Sequence, residues 1–264
     1  MPSSDLPLDE SQLHTALESA AHLLRGSDRE FFHRVWRTNL GVYRARLAAV
    51  GMRGLGRVLD AGSGMGQWTV CLAEANEEVH GVDLDPKRIR AATMVCNALG
   101  LGNVHMSCQA LERLRYPDES FDAIFSYGVL MLTDYRKVIT EFFRILKPGG
   151  RLYISSNGVG WYLYNLLRPH NRSSNYNPRR MALETLANTL VFAATGRQRE
   201  GKELIMPSRR LARELKAAGF KPLEVGGEGT LCITSGHAPP RSFFRSRYGG
   251  FEGVYELLAQ RPYV

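Results

Sequence analysis

The chain has 264 residues, a mass of 29.6 kDa and a formal net charge of +8, with 44% hydrophobic and 23% charged residues. That composition suits an ordinary globular protein with a full core of its own, and it excludes a disordered tail, a collagen-like repeat and a small disulfide scaffold. The four cysteines (Cys71, Cys96, Cys108 and Cys232) form no C-x-x-C pair and have no histidine at ligand spacing, so no disulfide framework and no metal site is expected.

The N-terminal MPSSDLPLDE is acidic and lacks the basic region of a signal peptide. Two amphipathic helices are expected first. One carries Leu13, Leu17, Ala20, Ala21 and Leu24 at helical spacing, and Gly26-Ser27-Asp28 breaks it. The second spans about 29–50, with Phe32, Val35, Trp36, Leu40, Tyr43 and Leu47 as its apolar stripe. The period then changes. Strands are expected at 57–60, 78–83, 104–108, 121–126 and 151–156, separated by helices at 67–74, 86–99 and 135–146. A helix over 181–194 follows, then one over 208–218 ended by Gly219, then strands near 221–225 and 230–234. The tail closes with an expected helix at 252–259. The longest apolar run, around 189–194, is far short of the ~18–20 residues of a membrane span, so a cytoplasmic protein is expected.

Strands alternating with helices imply an α/β fold. It is read as a Rossmann-like doubly wound sheet of about seven strands, mostly parallel, with an antiparallel hairpin at the end. The division expected is a helical cap over 1–50, a nucleotide-binding core over 51–156, and a helical lid over 157–207. The end of the core sheet would lie at 208–235, and a tail with a helix at 236–264.

The sharpest local signal is Val58-Leu59-Asp60-Ala61-Gly62-Ser63-Gly64-Met65-Gly66, a glycine-rich turn between strand and helix. Glycines let a ligand approach the backbone, and the helix start offers free N–H groups. Asp83 ends the next strand, where a carboxylate can accept both hydroxyls of a ribose. The nicotinamide pattern G-x-G-x-x-G is missed, because the third glycine falls one residue early and position 67 is Gln. Asp60, two residues before the first glycine, would repel a diphosphate and suits a cationic ligand. A G-K-[ST] phosphate loop is absent. The bland alternative is that the glycines serve helix–strand packing alone.

Four segments in this order, VLDAGSGMGQWT (58–69), VHGVDLDPKRI (79–89), LRYPDESFDAIFSYGVLMLTD (114–134) and FRILKPGGRLYIS (143–155), resemble the class I S-adenosylmethionine-dependent methyltransferases. The chain looks like the broad subgroup that methylates small metabolites, lipids and natural products. The resemblance implies S-adenosyl-L-methionine as cofactor and assigns residues to it. Asp60 and the backbone of Gly62, Gly64 and Gly66 would meet the methionine part. Asp83 would hold the ribose, and Leu84 would pack on the adenine face. Gln109, Ala110 and Leu111 would lie at the adenine edge, where many relatives carry an Asp that this chain lacks. Ser126 and Tyr127 would end the fourth strand beside the sulfonium. Tyr127 is read either as a catalytic residue orienting the acceptor or as a packed aromatic. Trp36 and Arg37 would close over the cofactor carboxylate, with a core Trp and a solvated Arg as the alternative.

Base candidates for an acceptor hydroxyl are His33, His170, His237 and Asp134, of which His170 is preferred because it falls in the lid. All of the positive excess lies after residue 156: residues 157–264 hold 16 Lys+Arg against 8 Asp+Glu, while residues 1–156 hold 18 of each. Trp161, Tyr162 and Tyr164 suggest a flat or sugar-like acceptor, and Arg168, Arg172, Arg179 and Arg180 an anionic one. Ordinary lid packing or a homodimer interface would use the same aromatics.

The function expected is methyl transfer to an oxygen or nitrogen of a small molecule. An RNA methyltransferase and a non-catalytic S-adenosylmethionine-binding interaction protein are the alternatives. No N-P-P-[YF]-like tetrapeptide follows the fourth strand and no nucleic-acid-binding module is recognisable, so nucleic acid is not the expected partner.

Overall fold

In a computed structural model, residues 10–168, 176–198, 202–233 and 240–263 are described. Three helices come first: α1 (Glu10–Ala21), α2 (Gly26–Trp36) and α3 (Leu40–Ala49). The single helix expected over 29–50 is therefore two. The break falls at Asn39, whose side-chain oxygen accepts from the Gly41 N–H at 2.7 Å and caps α3.

The alternating part follows as β1 (Arg57–Ala61), α4 (Gln67–Ala73), β2 (Glu78–Asp83), α5 (Pro86–Ala98), β3 (Val104–Cys108), β4 (Phe121–Tyr127), α6 (Tyr135–Ile145) and β5 (Leu146–Asn157). Asp85 caps α5, accepting from Lys87 N at 2.7 Å, and Pro86 takes the first helical turn. Next come α7 (Val159–Leu167), α8 (Pro178–Thr195), α9 (Ser208–Ala217), β6 (Lys221–Gly227), a short hairpin of β7 (Arg247–Tyr248) and β8 (Phe251–Glu252), and finally β9 (Val254–Gln260).

The main sheet has seven strands in the order β3-β2-β1-β4-β5-β9-β6. Its first five are parallel, and β9 runs antiparallel to both β5 and β6. The Rossmann-like expectation holds, but the closing strand is misplaced in it. No strand forms over 231–233, and residue 234 lies outside the described residues. The helix expected over 252–259 is instead β9. Its Tyr255, Leu257 and Ala259 join one face of the core and Leu258 the other. Apolar residues of both parities fit a strand buried on both faces as well as they fit a helix. Insertion between two strands then satisfies the backbone groups of the segment, so the last residues complete the sheet.

One sheet face packs α6 and α9 through Leu59, Ile124, Leu152, Phe142, Leu211 and Leu215. The other packs α3 and α4 through Val58, Phe125, Tyr153, Leu47 and Trp68. Helices α1, α2 and α5 share a third cluster around Ala20, Phe32, Ala91 and Val95. The strand order reverses between β1 and β4, which opens a crevice at their C-terminal ends, the place where such sheets take ligands. No helix among the described residues is long and apolar enough to cross a membrane.

Candidate active site

The turn after β1 is held in a shape that only glycine adopts without strain. Gly62, Gly64 and Gly66 have φ of 84°, 53° and 82°. A Cβ on Gly62 would overlap the methyls of Val129, and one on Gly66 would lie 2.8 Å from the Ala92 Cβ. The N–H groups of Gly62 and Ser63 both bond the Val82 carbonyl, at 2.8 and 2.9 Å, tying the turn to β2. The Trp36 indole donates to the Met65 carbonyl at 3.1 Å, so α2 lies over the turn, while Arg37 is exposed at the end of α2. The buried Ser63 Oγ and Gln67 Oε1 have no hydrogen-bond partner among the described residues. Two unpaired polar atoms beside the glycines suit a ligand with polar groups.

Two carboxylates face this turn. Asp60 is 2% exposed and accepts from Thr69 Oγ1 at 2.6 Å. Burial pushes its carboxyl up from the ordinary 3.8 to about 7, opposed by the Thr69 bond and assisted by the charge of Asp83. Asp83, at the tip of β2, accepts from Gly64 N at 3.0 Å and from Asp85 N at 2.9 Å, one bond to each oxygen. Each oxygen keeps a further lone pair. Beside it Leu84 is 71% exposed, an apolar side chain uncovered at the lip of the crevice.

The expected adenine-edge segment lies beside Asp83, with Gln109 N donating to the Asp83 carbonyl at 3.1 Å, but its side chains are turned to other partners. The Gln109 amide donates to Ser107 Oγ at 2.8 Å and accepts from Arg115 N at 2.8 Å, so both of its ends brace their own loop. Leu111 is 5% exposed and belongs to the main core. Ala110, between them, is partly buried and brings only backbone.

At the tip of β4, Ser126 is fully buried with an unpartnered Oγ. Tyr127 is not placed as a free catalytic hydroxyl. It donates to Glu228 Oε1 at 2.9 Å, and its ring packs on Trp68 with centroids 5.0 Å apart. Burial, and then the charge of Glu228, push its pKa well above the ordinary value, which removes it as a base near neutral pH. Glu228 belongs to a buried cluster in which Arg46 pairs with Glu228 and, at 2.6 Å, with Glu256. Tyr153 donates to Glu256 at 2.8 Å. The same Glu228 accepts the N–H groups of Phe243 and Phe244 at 2.8 and 3.1 Å, pinning the segment before β7 against the sheet. Sequence reading missed Arg46, Glu228 and Glu256. The available signal was a charged residue inside the apolar run 254–259.

The preferred base His170, together with His237 and Arg172, lies outside the described residues. Asp134 precedes α6 and pairs with Lys137 at 3.1 Å. Two of the expected anion-binding arginines of the lid make other contacts. Arg179 donates to the Leu166 carbonyl at 3.1 Å, and Arg180 pairs with Glu184 at 2.7 Å. At the start of β2 and β3, Glu78, His80 and His105 converge, but Arg57 already supplies the cation there, 3.0 Å from Glu78 and 3.2 Å from His80 Nε2.

Residues 59–154 match the methyltransferase domain family. The demethylmenaquinone methyltransferase of Geobacillus kaustophilus (strain HTA426) is 36% identical over 98 residues, which span 36% of this chain and 42% of that protein. A ubiquinone/menaquinone biosynthesis C-methyltransferase UbiE, from Pseudoalteromonas translucida (strain TAC 125), is 32% identical over 150 residues, 51% of this chain and 57% of that one. The chain thus spans about half the length of the curated relatives it matches. Among solved structures, a geranyl diphosphate methyltransferase in complex with SAM superposes with a TM-score of 0.60 at 17% identity, covering 94% of each chain. The [4+2]-cyclase SpnF superposes with a TM-score of 0.58 at 21% identity, covering 85% of this chain and 82% of that one. The four segments in their order and the shared fold agree with the match of residues 59–154 to a methyltransferase domain.

Proposed function

We propose that the chain binds S-adenosylmethionine in the crevice between β1 and β4 and transfers its methyl group to a small-molecule acceptor. The observation that carries this is the juxtaposition of Asp83, exposed Leu84 and the left-handed glycines of 62–66. A carboxylate with spare lone pairs, an uncovered apolar side chain and an open backbone cradle suit a ribose, a purine face and an amino-acid tail in turn. When bound, the cofactor supplies a methyl group on a positively charged sulfur, so the leaving group needs no proton.

The protein's share is placement. Asp83 would accept the sugar hydroxyls and Leu84 would cover the base. Asp60 supplies negative potential under a cationic ligand. Helix α2, fastened through Trp36, lies over the turn and shields it from water. Orientation of this kind accounts for roughly 7–11 kcal/mol of a barrier. With Tyr127 committed to Glu228, the described residues favour an acceptor whose nucleophile needs little help in losing a proton, such as an amine, an acidic hydroxyl or an electron-rich carbon. Relatives named as C-methyltransferases support adding carbon to the oxygen and nitrogen acceptors suggested by the sequence.

Likeness to a [4+2]-cyclase is a reminder that the fold does not dictate methyl transfer. The test is S-adenosylhomocysteine release across a metabolite panel. Release with at least one acceptor, abolished by Asp83→Ala, supports the reading. Cofactor binding without turnover on any acceptor would leave a binding protein instead.

A further inference from the structure

Helix α7 and the segment before β9 enclose an open concavity of about 670 Å³, lined by Tyr164 and by residues 242–248. Its walls are aromatic. Tyr164 and Tyr248 pack with ring centroids 4.5 Å apart, and Phe244 meets Trp161 edge-on at 5.1 Å. Phe243 forms the inner wall and reaches the tip of β4, its ring 6.3 Å from that of Tyr127 and 6.2 Å from that of Trp68. Trp68 lies on α4, directly after the glycine turn, so Phe243 connects the concavity to the helix that follows the crevice proposed for the cofactor.

Its rim is cationic. Arg245 and Arg247 both line it and both are exposed. Among the described residues neither has a carboxylate within ion-pair distance, whereas Arg44, Arg88, Arg144 and Arg180 on other surfaces are all paired. The partner of Arg247 across the hairpin is Glu252, but the Glu252 carboxylate turns to Ser208 at the start of α9, accepting from its N–H at 2.9 Å and from its hydroxyl. Among the described residues Arg247 donates to the Gly250 carbonyl at 3.3 Å. The wall is also pre-formed, because Glu228 holds the N–H groups of Phe243 and Phe244, and Ser242 Oγ donates to the Glu228 carbonyl at 2.7 Å.

We infer that this concavity is the acceptor subsite and that it takes a flat apolar molecule bearing an oxyanion, the body lying against Tyr164, Tyr248 and Phe243 and the anion on Arg245 and Arg247. The inference rests on the methyltransferase reading for its role and on the pocket alone for its ligand chemistry. Guanidinium forks match carboxylate and phosphate oxygens in pairs, and aromatic walls recognise planar bodies without fixing their identity. The anion is thereby assigned to the hairpin rather than to Arg179 and Arg180 of α8.

The experiment titrates the full chain with 2-naphthoate, 2-naphthyl phosphate and the neutral 2-naphthylmethanol at low salt, following ligand NMR signals. Wild type should bind at least one of the two anions five-fold or more tighter than the alcohol, and the stronger of the two identifies carboxylate or phosphate. The exposed pair Arg245→Gln and Arg247→Gln, combined, should erase that preference while the S-adenosylhomocysteine Kd stays within two-fold. Equal affinity for anions and alcohol, no binding of any probe, or a preference that survives in the double variant overturns the inference. Absence of S-adenosylhomocysteine binding to wild type would instead sink the methyltransferase reading, with the anion preference judged separately.

Discussion

The Tyr127 hydroxyl donates to Glu228 Oε1 across 2.9 Å, joining the tip of β4 to the segment that follows β6. The bond crosses 101 residues of sequence and ends on a carboxylate that also holds Arg46 and the Phe243 and Phe244 amides. Removing the hydroxyl leaves a buried charge one donor short, which typically costs about 1–3 kcal/mol. Tyr127→Phe is therefore expected to lower the urea midpoint of unfolding while turnover stays within a few-fold of wild type. A hundred-fold fall in kcat with an unchanged midpoint would return the hydroxyl to the chemistry.

Asp83 serves two masters, the Gly64 and Asp85 amides and the proposed ribose. Asp83→Asn keeps one oxygen acceptor and loses the charge, whereas Asp83→Ala loses both and frees the glycine turn. Calorimetry with S-adenosylhomocysteine should show affinity falling in the order wild type, Asn, Ala. The Ala step is expected to reach about 1–3 kcal/mol or more, the scale of charge-assisted bonds. An Ala variant that binds as wild type would remove the carboxylate from the cofactor site.

The first five strands could be read in the sequence because each is a short apolar run bounded by turn residues, and the local pattern agrees with the final environment. The glycine turn was equally legible, since φ near +80° at Gly62 and Gly66 restricts the residue type strongly. What escaped depends on distant partners. Val254–Gln260 becomes a strand only because β5 and β6 leave a gap between them. Arg46 sits on a helix whose sequence suggests a solvated cation, yet Glu228 and Glu256, 182 and 210 residues away, make it a core residue. Gln109 was a ligand contact only by the family resemblance, and the Ser107 and Arg115 bonds show that its amide is already used.

Asp60 sets a pH dependence. Its folded pKa of about 7 lies above the ordinary 3.8, so without ligand the native state holds the proton more firmly than the unfolded chain does. The stability this contributes is full below about pH 4 and is lost as pH rises through 7. A cationic ligand reverses the preference by favouring the carboxylate. Binding of S-adenosylmethionine should then tighten between pH 6 and 8 and release up to one proton. Titrations at pH 6.5 in buffers of different ionisation enthalpy measure that proton, and Asp60→Asn should abolish it. Proton release unchanged in the Asn variant would assign the linkage to another group.

Arg46, Glu228 and Glu256 all have fully buried side chains, with two carboxylates on one guanidinium. Burial pushes the Glu256 pKa up, and Arg46 opposes that shift. Deleting one member of such a group strands the opposite charge, typically at about 3–5 kcal/mol, whereas replacing the whole group by neutral residues is often tolerated. Arg46→Met should thus destabilise the fold more than Tyr127→Phe does. Its penalty should be larger at pH 8 than at pH 5, because Glu256, whose pKa burial raises, can take up a proton as pH falls and can no longer do so as it rises. Adding Glu228→Gln and Glu256→Gln to Arg46→Met should recover part of the loss and flatten the pH dependence. Denaturation curves of the single and triple variants at the two pH values decide it. A single variant equally destabilised at both would mean that lost packing, not stranded charge, carries the cost.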